Sequence, residues 1–137
     1  MTAEEIRIGN YYLYHIKDDM DDRKEWDETS TIDGEDICWL SEHPDDEDYQ
    51  PIPLTEEWAT KLGFGNDIGV PYQRWIGEPY DKGTIIITLH FQRKQIQISS
   101  QQEEGDRLLY IYLPIPKYVH TLQNLYFALT GNELTTK

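Results

Sequence analysis

The hydrophobic pattern is most regular in the C-terminal half of the chain. The stretches "TIIITLHF" (84–91), "KQIQISS" (94–100) and "RLLYIYL" (107–113) alternate with a period of two. Ile85, Ile87, Leu89 and Phe91 fall on one face, matched by Ile96 and Ile98 and then by Leu109, Ile111 and Leu113. The connections are short. The pattern predicts an antiparallel three-strand meander over 84–113 with that face buried. "PIP" (114–116) stops the sheet, and "YVHTLQNLYFALTG" (118–131) follows with a helical period. At about 100° per residue, Tyr118, Val119, Leu122, Leu125, Tyr126 and Leu129 share one arc. A helix over 118–130 is expected across the buried face of the meander, ended by Gly131 in the left-handed conformation.

A second helix is expected at 55–62. Pro51 and Pro53 keep the approach extended. Thr55 is placed to cap the first turn, Glu56 and Glu57 sit where the helix dipole favours negative charge, and Gly63 suits the left-handed exit. Leu54, Trp58 and Leu62 recur at i, i+4 and i+8, giving one apolar edge. Residues 63–84 then form a long connection with five of the nine glycines; loops of that length are uncommon inside a compact domain and often functional.

The N-terminal part is less periodic. "IRIGNYYLYHI" (6–16) is rich in β-branched and aromatic residues broken at Gly9, which predicts two short strands, or one strand with a bulge or turn. "KDDMDDRKEWDE" (17–28) and "SEHPDDEDYQ" (41–50) read as acidic loops. Between them, "TSTIDGEDICWL" (29–40) carries Asp33-Gly34 between two β-like runs, a signal for a type I′ hairpin. The expected architecture is one α+β domain spanning 1–137: an antiparallel sheet built from the meander and the N-terminal strands, with two helices, the last packed on the sheet. Whether the N-terminal strands join the meander or form a small sheet of their own is left open by the pattern.

Composition narrows the function classes. Hydrophobic residues make up 38% and aromatics 12% of the 137 residues, enough for a folded core because each buried ring removes a large area from water. The formal charge is −14. Residues 1–50 hold 17 acids against 4 bases and residues 51–137 hold 9 against 8, so the acidity belongs to the N-terminal third. Such a field repels phosphate backbones and anionic lipids, which disfavours direct nucleic-acid binding and membrane-surface binding. In the C-terminal half only Arg93-Lys94 hints at a local basic patch, and it reads as a hairpin tip. Cys38 is the only cysteine, so neither an internal disulfide nor a thiolate zinc cluster is available. "MTAEEIRIGN" has acids where a secretory signal has bases, and no apolar run approaches the length of a membrane helix. The expectation is a cytoplasmic protein.

Three segments together, "IRIGNYYLY", "PIPLTEEWATKLGF" and "KYVHTLQNLYFALTGNEL", resemble a group of uncharacterised small proteins of gut Bacteroidales, often found near prophage or other mobile-element genes. The matched strings cover roughly a third of the chain. The resemblance implies a mobile-element context. It supplies no activity, cofactor or catalytic residue, and the acidic segments 17–28 and 41–50 lie outside it.

Each candidate site has a plain structural alternative. Asp18, Asp19, Asp21 and Asp22, and then Asp45, Asp46, Glu47 and Asp48, offer oxygens to Ca²⁺, but neither stretch has the glycine and closing glutamate of a calcium loop; solvated charge is the simpler account. The same charge would suit an acidic nucleic-acid mimic that inhibits a DNA-processing enzyme, although here it falls in expected loops. Gly63, Gly65 and Gly69 do not form a phosphate loop, because they follow a helix and lead to Val70-Pro71. Phe64, Tyr72, Trp75 and Tyr80 would line a pocket for a small molecule or sugar, or plug the loop onto the core. His15, His43, His90 and His120 show no metal-ligand spacing, and Cys38 has no basic neighbour to activate it and is expected as a small buried hydrophobe. No catalytic, cofactor or metal constellation emerges, so the expectation is a non-enzyme with no cofactor, acting through an unidentified protein partner or a homo-oligomer. His120, Gln123, Asn124 and Phe127 lie opposite the apolar arc of the last helix. Either the N-terminal segment or the 63–84 loop covers them, or they form an interaction surface centred on Phe127.

Overall fold

The computed structural model describes residues 1–17, 20, 24–65, 72–77, 81, 83–101 and 108–136. In chain order the elements are β1 (Tyr11–Lys17), β2 (Glu25–Thr31), α1 (Gly34–Glu42), β3 (Tyr49–Gln50), α2 (Glu56–Lys61), β4 (Gln73–Ile76), β5 (Ile85–His90), β6 (Gln95–Gln101), β7 (Leu108–Pro114) and α3 (Val119–Thr130). The fold is α+β, with two antiparallel sheets ordered β2-β1-β3 and β4-β5-β6-β7. The chain forms two compact units. One is Met1–Leu54 with Lys117–Leu134; the other is Thr55–Pro116 with Thr135–Lys137.

The first unit holds the N-terminal sheet, α1 and α3. The N-terminal strands therefore form their own small sheet. Gly9 turns the chain with φ +95° before β1 begins. Tyr12 stacks on Tyr49 with ring centroids 5.0 Å apart, and Tyr14 meets both edge-on. With Ile6, Ile32 and Leu40 these rings make the apolar cluster. The expected hairpin at Asp33-Gly34 is instead the start of α1. Asp33 Oδ1 accepts from the Asp36 N–H and Asp36 Oδ2 accepts from the Asp33 N–H, both at 2.9 Å. This reciprocal capping satisfies two backbone donors and outweighs the turn preference of Asp-Gly. Residues 25–28, expected as loop, belong to β2, which pairs along its whole length with β1. Cys38, expected in a buried strand position, is exposed on α1.

α3 spans the expected range. Val119, Leu122 and Tyr126 are buried, and Gly131 closes the helix at φ +74°, its N–H donating to Phe127 O at 2.8 Å. The sheet against which it packs is that of β1, whereas the sequence placed it on the meander, which belongs to the other unit. The reason is on its second face, described below: the polar side chains there bond residues 5–11.

In the second unit, α2 has the expected caps. Thr55 Oγ1 accepts from the Trp58 N–H at 3.2 Å, and Gly63 adopts φ +90° after the last turn. Arg74 Nη1 donates to Leu62 O at 2.7 Å, placing a cation on the carbonyl end of the helix. The meander β5-β6-β7 forms as expected, with the β5–β6 tip carrying Lys94 at φ 54°. β4, inside the expected loop 63–84, adds a fourth strand to its edge. Ile87, Leu89, Ile96 and Ile98 are buried on the expected face. The third strand departs from expectation. Leu109, Ile111 and Leu113 are 60%, 56% and 41% exposed. Their register opposite Ser100, Ile98 and Ile96 puts them on the buried face of the sheet, but the cover ends before the edge strand.

Candidate functional site

The amide face of α3 is a densely bonded polar cluster of the first unit. Gln123 is fully buried. Its Oε1 accepts from the Tyr11 N–H at 2.8 Å, and its Nε2 donates to Gly9 O at 3.2 Å and Leu134 O at 3.0 Å. One side chain thus fixes the entry to β1 and the segment after α3. Asn124 Oδ1 accepts from Asn10 Nδ2 at 2.9 Å, and Asn124 Nδ2 donates to Glu5 O at 3.0 Å. Asn10 Oδ1 in turn accepts from the Arg7 N–H at 2.7 Å. The Arg7 guanidinium sits 3.7 Å above the Phe127 ring and pairs with Glu133. Phe127 keeps 37% of its surface exposed under that cation.

His120 is buried beside Tyr118, rings stacked 5.6 Å apart. Burial lowers its pKa, and the N-terminal ammonium lowers it further against the opposing pull of Glu5. Among the described residues its Nδ1 has no hydrogen-bond partner. The structure therefore joins Gln123, Asn124 and, through Arg7, Phe127 into a clasp holding residues 5–11, with His120 and Gln123 buried and Phe127 part-exposed.

Of the loop aromatics, Phe64, Tyr72 and Trp75 lie among the described residues. Phe64 is buried in the core of the second unit. Tyr72 packs edge-on against Phe91 at 5.3 Å, and its hydroxyl donates to Glu56 Oε2. Trp75 is exposed on β4 with its indole N–H on Gln73 Oε1 at 2.7 Å. Tyr80 lies outside the described residues, as do Asp18, Asp19, Asp21, Asp22 and Gly69. An open depression of about 700 Å³ instead lies along α1, lined by Asp33, Gly34, Glu35, Cys38, Trp39 and Glu42. Trp39 stacks on His43 at 3.8 Å and donates to Asp46 Oδ2 at 2.7 Å, which holds the Asp46 carboxyl below the usual carboxylate range. Asp45, Asp46, Glu47 and Asp48 precede β3, where the Asp48 N–H bonds Asp46 Oδ1 and stabilises a turn. Among the described residues no three His, Cys, Asp or Glu side chains converge on a point where a metal ion would sit.

The feature that sequence reasoning missed is the outer edge of β7. Five consecutive large apolar side chains, Leu109 to Leu113, are exposed. Leu109, Ile111 and Leu113 project on one face and Tyr110 and Tyr112 on the other. The Ile115 N–H donates to Lys94 O at 3.0 Å. Bonded and non-bonded pairs alternate along an antiparallel ladder. Leu113, Ile111 and Leu109 therefore turn their N–H and C=O groups to β6, and Tyr110 and Tyr112 turn theirs outward. Among the described residues no strand pairs with that edge. A signal was present in the sequence: β6 alternates glutamine and serine with isoleucine, whereas β7 has apolar or aromatic residues at every position of both faces.

No protein-family model, curated protein or solved structure matches the chain. No helix among the described residues is long and apolar enough to cross a membrane.

Proposed function

We propose that the protein is a non-enzymatic binding protein that acts through protein contacts, with β7 as its contact strand. One observation carries this reading: an uncharged edge strand with five exposed large apolar side chains and outward-facing backbone groups. Edge strands are normally blunted by charge, bulges or brevity, because unpaired backbone groups are a template for another strand. Leu108–Pro114 carries no charge and runs for seven residues. Strand addition to such an edge combines main-chain hydrogen bonds with apolar side-chain contacts. The resemblance to small Bacteroidales proteins near prophage genes is the support for an accessory role in a phage or other mobile element. A photo-reactive residue replacing Tyr112, irradiated in the cell, should become covalently joined to protein, and Ile111→Lys should reduce the adduct at least tenfold. Absence of any protein adduct would overturn the reading.

A second reading, an acidic nucleic-acid mimic, draws on a specific observation. Glu25, Asp27 and Glu28 lie on β2, and Glu35, Asp36 and Glu42 on α1. These carboxylates stand on regular elements and not in loops, as a mimic of regularly spaced phosphates requires. Equimolar protein should then inhibit a DNA-processing enzyme, the inhibition fading with added salt. Indifference of nuclease and integrase activities to the protein would remove this reading.

A further inference from the structure

We infer that β7 pairs with β7 of a second copy of this chain, antiparallel about a two-fold axis at Ile111, joining two four-stranded sheets into one. The inference rests on the reading of β7 as a contact strand and names its partner. The sequence of the exposed segment is Leu109-Tyr110-Ile111-Tyr112-Leu113, which reads the same in both directions. A closed two-fold interface brings the same patch of both subunits together and must be self-complementary. With the axis at Ile111, Ile111 meets its own counterpart, Leu109 meets Leu113 of the other copy, and Tyr110 meets Tyr112. Leucine lies across from leucine and tyrosine across from tyrosine, so each face of the joined sheet is continuous in kind. β-branched and aromatic cross-strand pairs of this sort are the favourable ones.

The backbone agrees with this register. Tyr110 and Tyr112 carry the outward N–H and C=O groups, and in this register they oppose each other, giving about four interchain hydrogen bonds across the two pairs. Pro114 belongs to the same outward set and has no N–H to leave unpaired, as suits an edge position.

Charge permits the pairing. The chain as a whole is at −14, but the second unit holds 8 acids against 7 bases and the first holds 18 against 5. A contact through β7 therefore joins two nearly neutral units. Leu109, Ile111 and Leu113 of the two copies become cross-strand neighbours, which removes part of their exposed apolar area from water.

Two measurements on the full chain test this. Sedimentation velocity should show a species of twice the 16.2 kDa chain mass, and Ile111→Lys should weaken the association at least a hundredfold with unchanged far-UV circular dichroism. Mixing Ile111→Lys with Ile111→Glu should restore a dimer, because the two-fold places these side chains against each other. The second measurement is covalent. Opposed Ile111 residues form a non-hydrogen-bonded pair with Cα atoms about 4.5 Å apart, within disulfide reach. In a Cys38→Ser background, Ile111→Cys should cross-link to itself under mild oxidation at least tenfold faster than Tyr110→Cys. A chain that stays monomeric, or a dimer that survives Ile111→Lys, overturns the inference. If the chain is monomeric while a photo-reactive residue at 112 joins a different protein, the contact-strand reading stands and self-pairing falls. If it is monomeric and joins nothing, both fall.

Discussion

At the scale of single residues, α3 shows how one sequence face serves two packing jobs. Gln123 is a buried amide that uses its oxygen and both hydrogens of its nitrogen on backbone groups. Leaving those groups unpaired would cost about 1–3 kcal/mol each, which is why a polar residue belongs in this interior. His120, three residues earlier, is the less satisfied neighbour. Its pKa is depressed from the ordinary value of 6.5, first by burial. A group whose folded pKa lies below its unfolded value contributes stability above the unfolded value and loses it as pH falls through 6.5 toward the folded one. His15 works the other way: its hydrogen bond to Asp27, 2.8 Å away, raises its pKa. Its contribution is complete below 6.5 and fades as pH rises through the raised value. His120→Phe separates the two. The variant keeps a ring against Tyr118 and removes the orphaned Nδ1, so at neutral pH it should be neutral or up to about 1 kcal/mol more stable. Between about pH 7.5 and about pH 5 its denaturant midpoint should fall less than that of the unaltered chain. Equal slopes for the two proteins would show that His120 takes up its proton without resistance from the fold.

At the scale of elements, legibility followed the source of each element's stability. α2, α3 and the meander β5–β7 were legible because each has its own period and its own caps: Thr55 and Gly63 around α2, Gly131 after α3. β2 was not. Its residues Glu25–Thr31 are almost all exposed on both faces, so no alternation marks them, and only the seven-residue register with β1 makes them a strand. α1 was hidden by a competing signal. Asp-Gly at 33–34 suits a hairpin, and the reciprocal Asp33–Asp36 bonds that decide for a helix are made by an Asp-x-x-Asp spacing easily passed over in an acidic stretch. Tyr49 strengthens the same choice, its hydroxyl donating to Asp36 Oδ1 at 2.8 Å from β3. The candidate residues divided along the same line. The spacing of His120, Gln123, Asn124 and Phe127 on one face was visible, but what covers that face is a segment more than a hundred residues away, which periodicity cannot report. For β7 the alternation correctly assigned a face, and the extent of its cover, a tertiary property, set the exposure.

At the scale of the whole molecule, charge is distributed by unit. The first unit has 18 acids and 5 bases, so its bases cannot neutralise its carboxylates whatever the pairing. Among its described residues the ion pairs, Arg7–Glu133 and His15 with Glu25 and Asp27, are partly exposed and worth little individually. Like-charge repulsion therefore weighs on the first unit and barely on the second. Salt shortens the range of that repulsion, from about 10 Å at 0.1 M to about 3 Å at 1 M. Added sodium chloride should thus stabilise the first unit selectively, by an amount on the order of 1 kcal/mol between low salt and about 0.5 M. Residue-resolved hydrogen exchange reads this directly. The amides of Tyr11–Lys17 should exchange several-fold more slowly in the higher salt, while those of Ile85–His90 change little. Equal slowing in both strands would mean that the acidity acts on the chain as one body. Selective slowing would show that the acidity is confined to one unit, and that the unit bearing β7 is electrostatically free to meet its own copy.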